Sequence, residues 1–369
     1  GPEERDVGMA FQNFALYPHL SAFENIASPL RARGLKEAEL KRKVEEVAAL
    51  LRIGHVLGHR PKELSNGQKQ RTALARSLVR APGVLLLDDP LRNVDAKLRY
   101  EMRLELPRLL ASFGSAVIYV TQDYKEAMAL GRRIAVLRAG RFAQIGTPGE
   151  IYDAPVDVEV ARLFGDPTIN LYRCWPQDGA VELFGDRVRV DGMGGHSGRE
   201  VLIGIRAEDV EVATEPVPDA VPAELDAVTP LNVRAVLYLR GRNGEELLAT
   251  VAEDDALRFG RGHRAVWARL RPERFLAFDP ATGATLPDSG TRAASGLRFG
   301  SRVRPLASFA RYVTEPDFSR HITNNDHGAA PLQGNAGDSG LCFAVFANHA
   351  FHDLTLVVKS VDHCAGLGS

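Results

Sequence analysis

Cysteine is scarce: Cys174, Cys342 and Cys364 are the only three in 369 residues, and no C-x-x-C or C-x-x-x-C spacing occurs. Thiols so few and so scattered form no disulfide framework, and they fit a reducing compartment. No stretch reaches the roughly 18 uninterrupted apolar residues of a membrane-spanning helix. The first residues, Gly1-Pro-Glu-Glu-Arg5, do not resemble a signal peptide, so contact with a membrane is expected to run through a partner. Excess charge is also missing. The 46 Lys+Arg against 47 Asp+Glu leave a net charge of -1, which gives no global field for a polyanion, and nucleic acid is not an expected partner. Phosphate binding must then be local.

What is present is ordinary globular composition, 45% apolar and 25% charged, in a chain long enough for two or three domains. The chain does not begin with Met and runs directly into Val7-Gly-Met-Ala-Phe11, a strand-like run without a preceding turn, so it reads as starting within a fold. A polar break and an aromatic-rich loop follow to Ser21. Helical periodicity then spans Lys36 to Arg52, with Leu40, Val44, Val47 and Leu51 on one stripe. Leu64-Ser-Asn-Gly-Gln68 is a small-residue turn that opens a second helix, Lys69 to Arg80, and Val84-Leu-Leu-Leu87 has the continuous apolar character of a strand buried on both faces. The alternation repeats with a helix from Asp95 to Ser112, a strand Ala116 to Thr121, a helix Tyr124 to Leu130 and a hairpin Ile134 to Ile145, which is α/β architecture. Thr147-Pro148 opens a helical stretch expected to reach Phe164. Beyond Cys174, short β-type runs with an Arg242-Asn-Gly244 turn point to a small all-β barrel, and past Pro287 the pattern dissolves.

Two places carry chemistry. Asp88 and Asp89 end a buried strand, where α/β folds bind ligands; Asp88 could hold Mg²⁺ while Asp89 faces a water, although a strand-end Asp also simply caps a turn. Ser65-Asn66-Gly67 at a helix N-terminus offers N–H groups, a hydroxyl and a positive dipole end suited to phosphate, and equally makes an ordinary cap.

In order along the chain these segments resemble the nucleotide-binding subunits of ABC transporters, specifically the import ATPases for sugars and glycerol phosphate. Gln12 within Met9-Ala-Phe-Gln-Asn13 resembles the Q-loop, Leu64 to Arg71 the signature motif, Val84 to Asp88 Walker B, Asn93-Val-Asp-Ala96 the D-loop, and Thr121-Gln-Asp123 the switch loop. Tyr124-Lys-Glu-Ala-Met128, Gly146-Thr-Pro-Gly149 and Gly204-Ile-Arg-Ala-Glu208 extend the likeness, which covers about Arg5 to Leu286. The resemblance implies a partial P-loop NTPase domain over residues 1–155 with a helical signature subdomain at 13–82. It implies a linker helix and an OB-type regulatory domain at 156–288, and leaves 289–369 unassigned.

It implies ATP and Mg²⁺ as cofactors, with Gln12 and Asp88 on the metal and Asp89, Gln122 and Gln12 at the catalytic water. Ser65, Asn66, Gly67, Gln68 and Asp95 would meet the nucleotide held by the opposite subunit, as in a head-to-tail dimer with two sites. The implied partners are membrane-spanning permease subunits, a second ATPase subunit and, indirectly, a solute-binding protein. The implied address is the cytoplasmic face of the cell membrane, as a peripheral protein.

The departures from the pattern bear on mechanism. No G-x-x-x-x-G-K-[ST] occurs in the 369 residues, so the phosphate-cradling loop is expected to lie in a segment ahead of Gly1. Asp89 stands where the family has a catalytic Glu, and a carboxylate drawn back by about an ångström can cost roughly a hundredfold in rate. Gln122 replaces the switch His and carries no charge, while Asn66 replaces a signature Gly and adds a Cβ beside the phosphate path. Together they point to weakened hydrolysis or a non-catalytic binding module. His19 is expected to pack against a membrane subunit. His321, His327, His349, His352 and His363 with Cys342 and Cys364 fit no compact zinc-ligand set, and the tail reads equally as foreign sequence.

Overall fold

Short apolar runs bounded by polar residues form the central strands, and the helices between them follow from capped apolar stripes. The computed structural model describes residues 6–92, 94, 96–231, 233–260, 264–287, 342–346 and 357–359. These belong to one compact unit comprising 1–293 and 339–369. Val7–Ala10 (β1) pairs in parallel with Val84–Asp88 (β2), and β2 pairs in parallel with Ala116–Thr121 (β3). Leu85, Leu87 and Tyr119 are fully buried, as expected of strands covered on both faces. Gly8 lies where β1 passes closest to the helical part. A Cβ built there would stand 2.6 Å from the Ser77 carbonyl oxygen and 2.8 Å from the Pro82 ring. Gly8→Ala is therefore expected to destabilise the α/β part by about 2 kcal/mol, read by urea denaturation.

Ala22–Arg31 (α1), which sequence patterning leaves unassigned, packs with Glu37–Leu50 (α2) and Asn66–Leu78 (α3). Ser21 caps α1 by accepting from the Glu24 N–H, and the buried Asn25 ties the aromatic loop down. Its carboxamide oxygen accepts from the Tyr17 N–H, and its NH₂ donates to the carbonyls of Tyr17, Leu20 and Ser21. Lys36 precedes α2 and Ser65 caps α3, so both predicted helices are found.

Ala96–Phe113 (α4) precedes β3, and Tyr124–Leu130 (α5) crosses from β3 to Arg133–Arg138 (β4), which makes a hairpin with Arg141–Gly146 (β5). Between β3 and β4 lie Cys342–Phe346 (β16), antiparallel to β3 and β4, and Val357–Lys359 (β17), parallel to β3 and β4 and antiparallel to β16. The strand order is β1-β2-β3-β16-β17-β4-β5. Two apolar islands of the tail thus join the sheet. The rest of 288–369, with the candidate zinc-binding histidines, lies outside the described residues.

One expected helix is two. Pro148–Asp153 (α6), capped by Thr147 and Glu150, ends at Ala154, and Val158–Leu163 (α7) starts afresh from Asp157. Pro155 explains the break, because proline pushes the residue before it out of helical conformation and cannot donate to the ladder.

Asn170–Cys174 (β6), Val201–Ile205 (β9) and Leu276–Phe278 (β15) form a three-stranded antiparallel sheet in the order β15-β9-β6. Ala180–Leu183 (β7) and Asp186–Arg189 (β8) make a hairpin. Val210–Ala213 (β10), Ala220–Leu231 (β11), Arg234–Arg240 (β12), Glu246–Ala252 (β13) and Arg264–Leu270 (β14) form a five-stranded antiparallel sheet in the order β10-β14-β11-β12-β13. Phe184, Ile203, Leu225, Leu237, Val266 and Phe275 fill a core of their own. The β12–β13 turn has Gly244 at φ 86, as the Asn-Gly signal predicts. Asn170 ties the two sheets together: its NH₂ donates to the Ile205 and Leu248 carbonyls, and its oxygen accepts from the Leu248 N–H.

Candidate functional site

The ends of β2 and β3 bring the predicted residues together. Asp88 closes β2 opposite Val120, and Asp89 turns out of the strand at φ 42, in the left-handed region. The Asp89 N–H donates to the Val120 carbonyl at 2.8 Å, which fixes the turn against β3. Thr121 and Gln122 follow at once, so Asp89 and Gln122 line one cleft of about 490 Å³, together with Arg92, Arg99 and the first turn of α5. Gln12 lies in the turn after β1, and with its amide oxygen facing Arg92 it accepts from that guanidinium at 3.1 and 3.2 Å. Arg92 also stands 3.6 Å from the Asp89 carboxylate. Arg92 therefore links Gln12 to Asp89.

Asp89 is 8% exposed, and its Oδ2 has no hydrogen-bond partner among the described residues. Burial, followed by the nearby Glu126 charge, pushes its carboxyl up to about 6, while Arg92 opposes the shift. Glu126 is itself buried. It accepts from the Tyr119 and Thr121 hydroxyls at 2.9 Å each and from Arg103 at 3.3 Å, and burial raises its pKa too. Arg103 also holds Asp123, the cap of α5, and the Asp123 N–H donates to Thr121 Oγ1. The segment carrying Gln122 is thus held on both sides by a buried polar network.

Arg76 of α3 donates to the carbonyls of Ala15 and Phe14 at 2.7 and 3.2 Å, and both residues have positive φ. This couples the helix that starts at Ser65 to the loop that carries Gln12. Ser65 and Gln68 make a reciprocal capping box: Ser65 Oγ accepts from the Gln68 N–H at 3.3 Å and Gln68 Oε1 from the Ser65 N–H at 2.9 Å. Ser65 and Asn66 are exposed and Gly67 is buried; none of Ser65, Asn66, Gly67 and Gln68 lines the cleft. Asp95 lies outside the described residues. Arg92, Arg99, Glu126 and Asp166 are cleft residues that patterning along the sequence misses. The charged residues that follow Asp88-Asp89 within one turn and open α4 were the available signal for the two arginines.

Among the described residues no group of three or more His, Cys, Asp or Glu side chains is arranged to hold a metal, and no helix is long and apolar enough to cross a membrane. The donors that suit a divalent cation are Asp88 and Gln12. The Asp89 oxygen that has no hydrogen bond, with the guanidinium beside it, has the chemistry to meet a water and a phosphate.

The family model described as ABC transporter matches residues 2–92. The trehalose/maltose import ATP-binding protein MalK of Thermococcus litoralis is 43% identical over 252 residues, which cover 65% of this chain and 68% of that protein. The sn-glycerol-3-phosphate import ATP-binding protein UgpC of Salmonella typhi is 38% identical over 292 residues, covering 76% and 79% respectively. UgpC of Ruegeria sp. is 40% identical over 283 residues. A solved dimer of the ATP-binding cassette MJ0796 in a post-hydrolysis state with ADP and Pi aligns with TM-score 0.37 and 30% identity, over 40% of this chain and 66% of that one. The fold is an α/β domain of the ABC type followed by a β-rich region. The chain belongs to the ABC transporter family, among its import ATP-binding proteins.

Proposed function

We propose that this chain binds Mg-ATP and couples ATP binding and a slow hydrolysis to import of a sugar or glycerol-phosphate-type solute, docked on permease subunits at the cytoplasmic face and paired with a second ATP-binding subunit. The observation that carries the reading is that Asp89 and Gln122 line one cleft with Arg92, whose guanidinium also meets the Gln12 amide oxygen outside that lining. The trehalose/maltose and sn-glycerol-3-phosphate import proteins named above support the solute class.

In this reading Asp88 and Gln12 hold Mg²⁺, which neutralises phosphate charge when bound. Asp89 orients the water and takes its proton at Oδ2. A carboxyl raised to about 6 by burial is a competent base near neutral pH. Gln122 donates through its amide to a γ-phosphate oxygen but supplies no charge, whereas Arg92, which lines the same cleft, can. Ser65, Asn66, Gly67, Gln68 and Asp95 act on the nucleotide of the opposite subunit. The G-x-x-x-x-G-K-[ST] loop is not among these residues, so the chain by itself is expected to bind Mg-ATP only in the millimolar range.

Titration of the chain with a fluorescent ATP analogue and Mg²⁺, with phosphate release followed in parallel, tests the reading. Saturable, Mg²⁺-dependent binding weakened at least about tenfold by Asp88→Asn is expected, as is phosphate release raised about tenfold by Asp89→Glu, which restores the longer carboxylate. Binding that is unchanged by Asp88→Asn, or independent of Mg²⁺, overturns it.

A further inference from the structure

The cleft has one wall that comes from neither strand end. Gly165 and Asp166 line it from the segment leading out of α7, opposite Gln122, Asp123 and Lys125. The Asp166 carboxylate is shared by two cations from different parts of the molecule. Its Oδ2 accepts from Lys125 Nζ at 2.5 Å and from Arg234 Nη2 at 2.9 Å. Lys125 is the second residue of α5, three positions after Gln122, while Arg234 opens β12 at the tip of the β11–β12 hairpin, paired with Leu231.

Further contacts make the connection stiff at both ends. The Tyr124 ring meets Phe164 edge-on, with centroids 6.1 Å apart. Arg206, at the end of β9, donates to the Phe164 carbonyl at 2.6 Å, which fixes the backbone two residues before Asp166. On the cleft side, Arg103 and the buried Glu126 hold the first turn of α5. Asp166 therefore bridges the β11–β12 hairpin on one side and the first turn of α5, next to Gln122, on the other.

We propose that Asp166 is a positioning residue: through Lys125 and Arg234 it transmits the placement of the β11–β12 hairpin to the first turn of α5 and so to Gln122. The inference rests on the switch role of Gln122 proposed above. Lys125, Asp166 and Arg234 are 51%, 35% and 36% exposed in their side chains, and ion pairs so exposed contribute little to global stability. Their effect is instead on which local arrangement α5 adopts. Displacing the hairpin releases one of the two cations, and the first turn of α5 is then free to open more often.

Amide hydrogen exchange on the full chain tests this without nucleotide, so its outcome is separate from that of the Mg-ATP titration. Arg234→Gln changes a β12 residue that does not line the cleft. It is expected to speed exchange of the Glu126 and Ala127 amides, both bonded to the Asp123 carbonyl, by about 3–10-fold. Asp166→Asn should have the same effect and the double variant no more than either single one, while Asp166→Glu should restore much of the protection. Amides of α1 to α3 and the thermal midpoint should stay at their original values, which a merely structural role would not predict. If Arg234→Gln leaves Glu126 and Ala127 exchanging at the original rate, or if all amides speed up together, the proposal fails.

Discussion

Asp89→Asn is expected to stabilise the protein at neutral pH while abolishing any phosphate release. In the folded chain the Asp89 carboxyl is raised from 3.8 to about 6, with burial the first cause and Glu126 the second. For an acid the sign is unfavourable to folding. Below about pH 3 the group is protonated in both states and contributes nothing. As pH rises towards 6 the unfolded chain ionises first, and above 6 the penalty is fully developed. The displacement, in which the Arg92 attraction is already included, corresponds to about 3 kcal/mol, so a gain of up to about 3 kcal/mol is expected at pH 7.5. Asn also tolerates the left-handed backbone that Asp89 adopts at φ 42. Urea denaturation of both proteins at pH 7.5 and pH 3 checks this: the gain should be present at the first pH and absent at the second. An equal gain at both would show that backbone strain, and not the buried charge, is what Asn relieves.

Arg206→Ala is expected to have the largest destabilising effect, about 3–5 kcal/mol. Arg206 is 4% exposed, stacks over the Tyr152 ring with its guanidinium carbon 3.7 Å from the centroid, and donates to the carbonyls of Tyr152, Phe164 and Ala161 at 2.7, 2.6 and 3.4 Å. Those carbonyls are at the C-terminal ends of α6 and α7, where unpaired C=O groups gather negative partial charge. Alanine would leave them without this donor and open a cavity between the helices and β9. Lysine keeps the charge but neither the fork nor the stack, so Arg206→Lys should recover less than half of the loss. Both tryptophans of the chain, Trp175 and Trp267, lie in the β-rich region, so their fluorescence during denaturation reports that region, while circular dichroism follows the helices. Arg206→Ala should lower the midpoint seen by both probes, because the guanidinium joins the two parts. A shift in only one of them would show that they do not unfold through this contact.

Much of the fold was legible because its elements satisfy local rules. The α2 stripe, the Ser65 cap with Gln68 three residues on, the apolar run of β2 and the Asn-Gly turn of β12–β13 each depend on residues a few positions apart. Helix α1 escaped because Pro29 interrupts its pattern, and its stability rests on Asn25 and on packing against α3. The break between α6 and α7 was missed: the apolar periodicity was read through Pro155, which outweighs it. At the site, Asp88 and Asp89 could be named from the end of an apolar strand, and Gln12 and Gln122 only from resemblance to the ABC family. Their connection through Arg92 could not, because it depends on where the β1 turn passes the end of β2.

The sequence by itself determined the sequence of strands and helices, the caps that start them and the identity of the chemistry-bearing positions, because those follow from periodicity, hydrogen-bonding side chains and charge within one or two turns of chain. Tertiary structure alone decided which charges meet. Burial of Asp89 beside Glu126 sets its acidity, the Arg92 bridge joins two loops 80 residues apart, and Asp166 is shared between Lys125 and Arg234. Electrostatic energy depends on distance and solvent exclusion, neither of which is written in the order of residues.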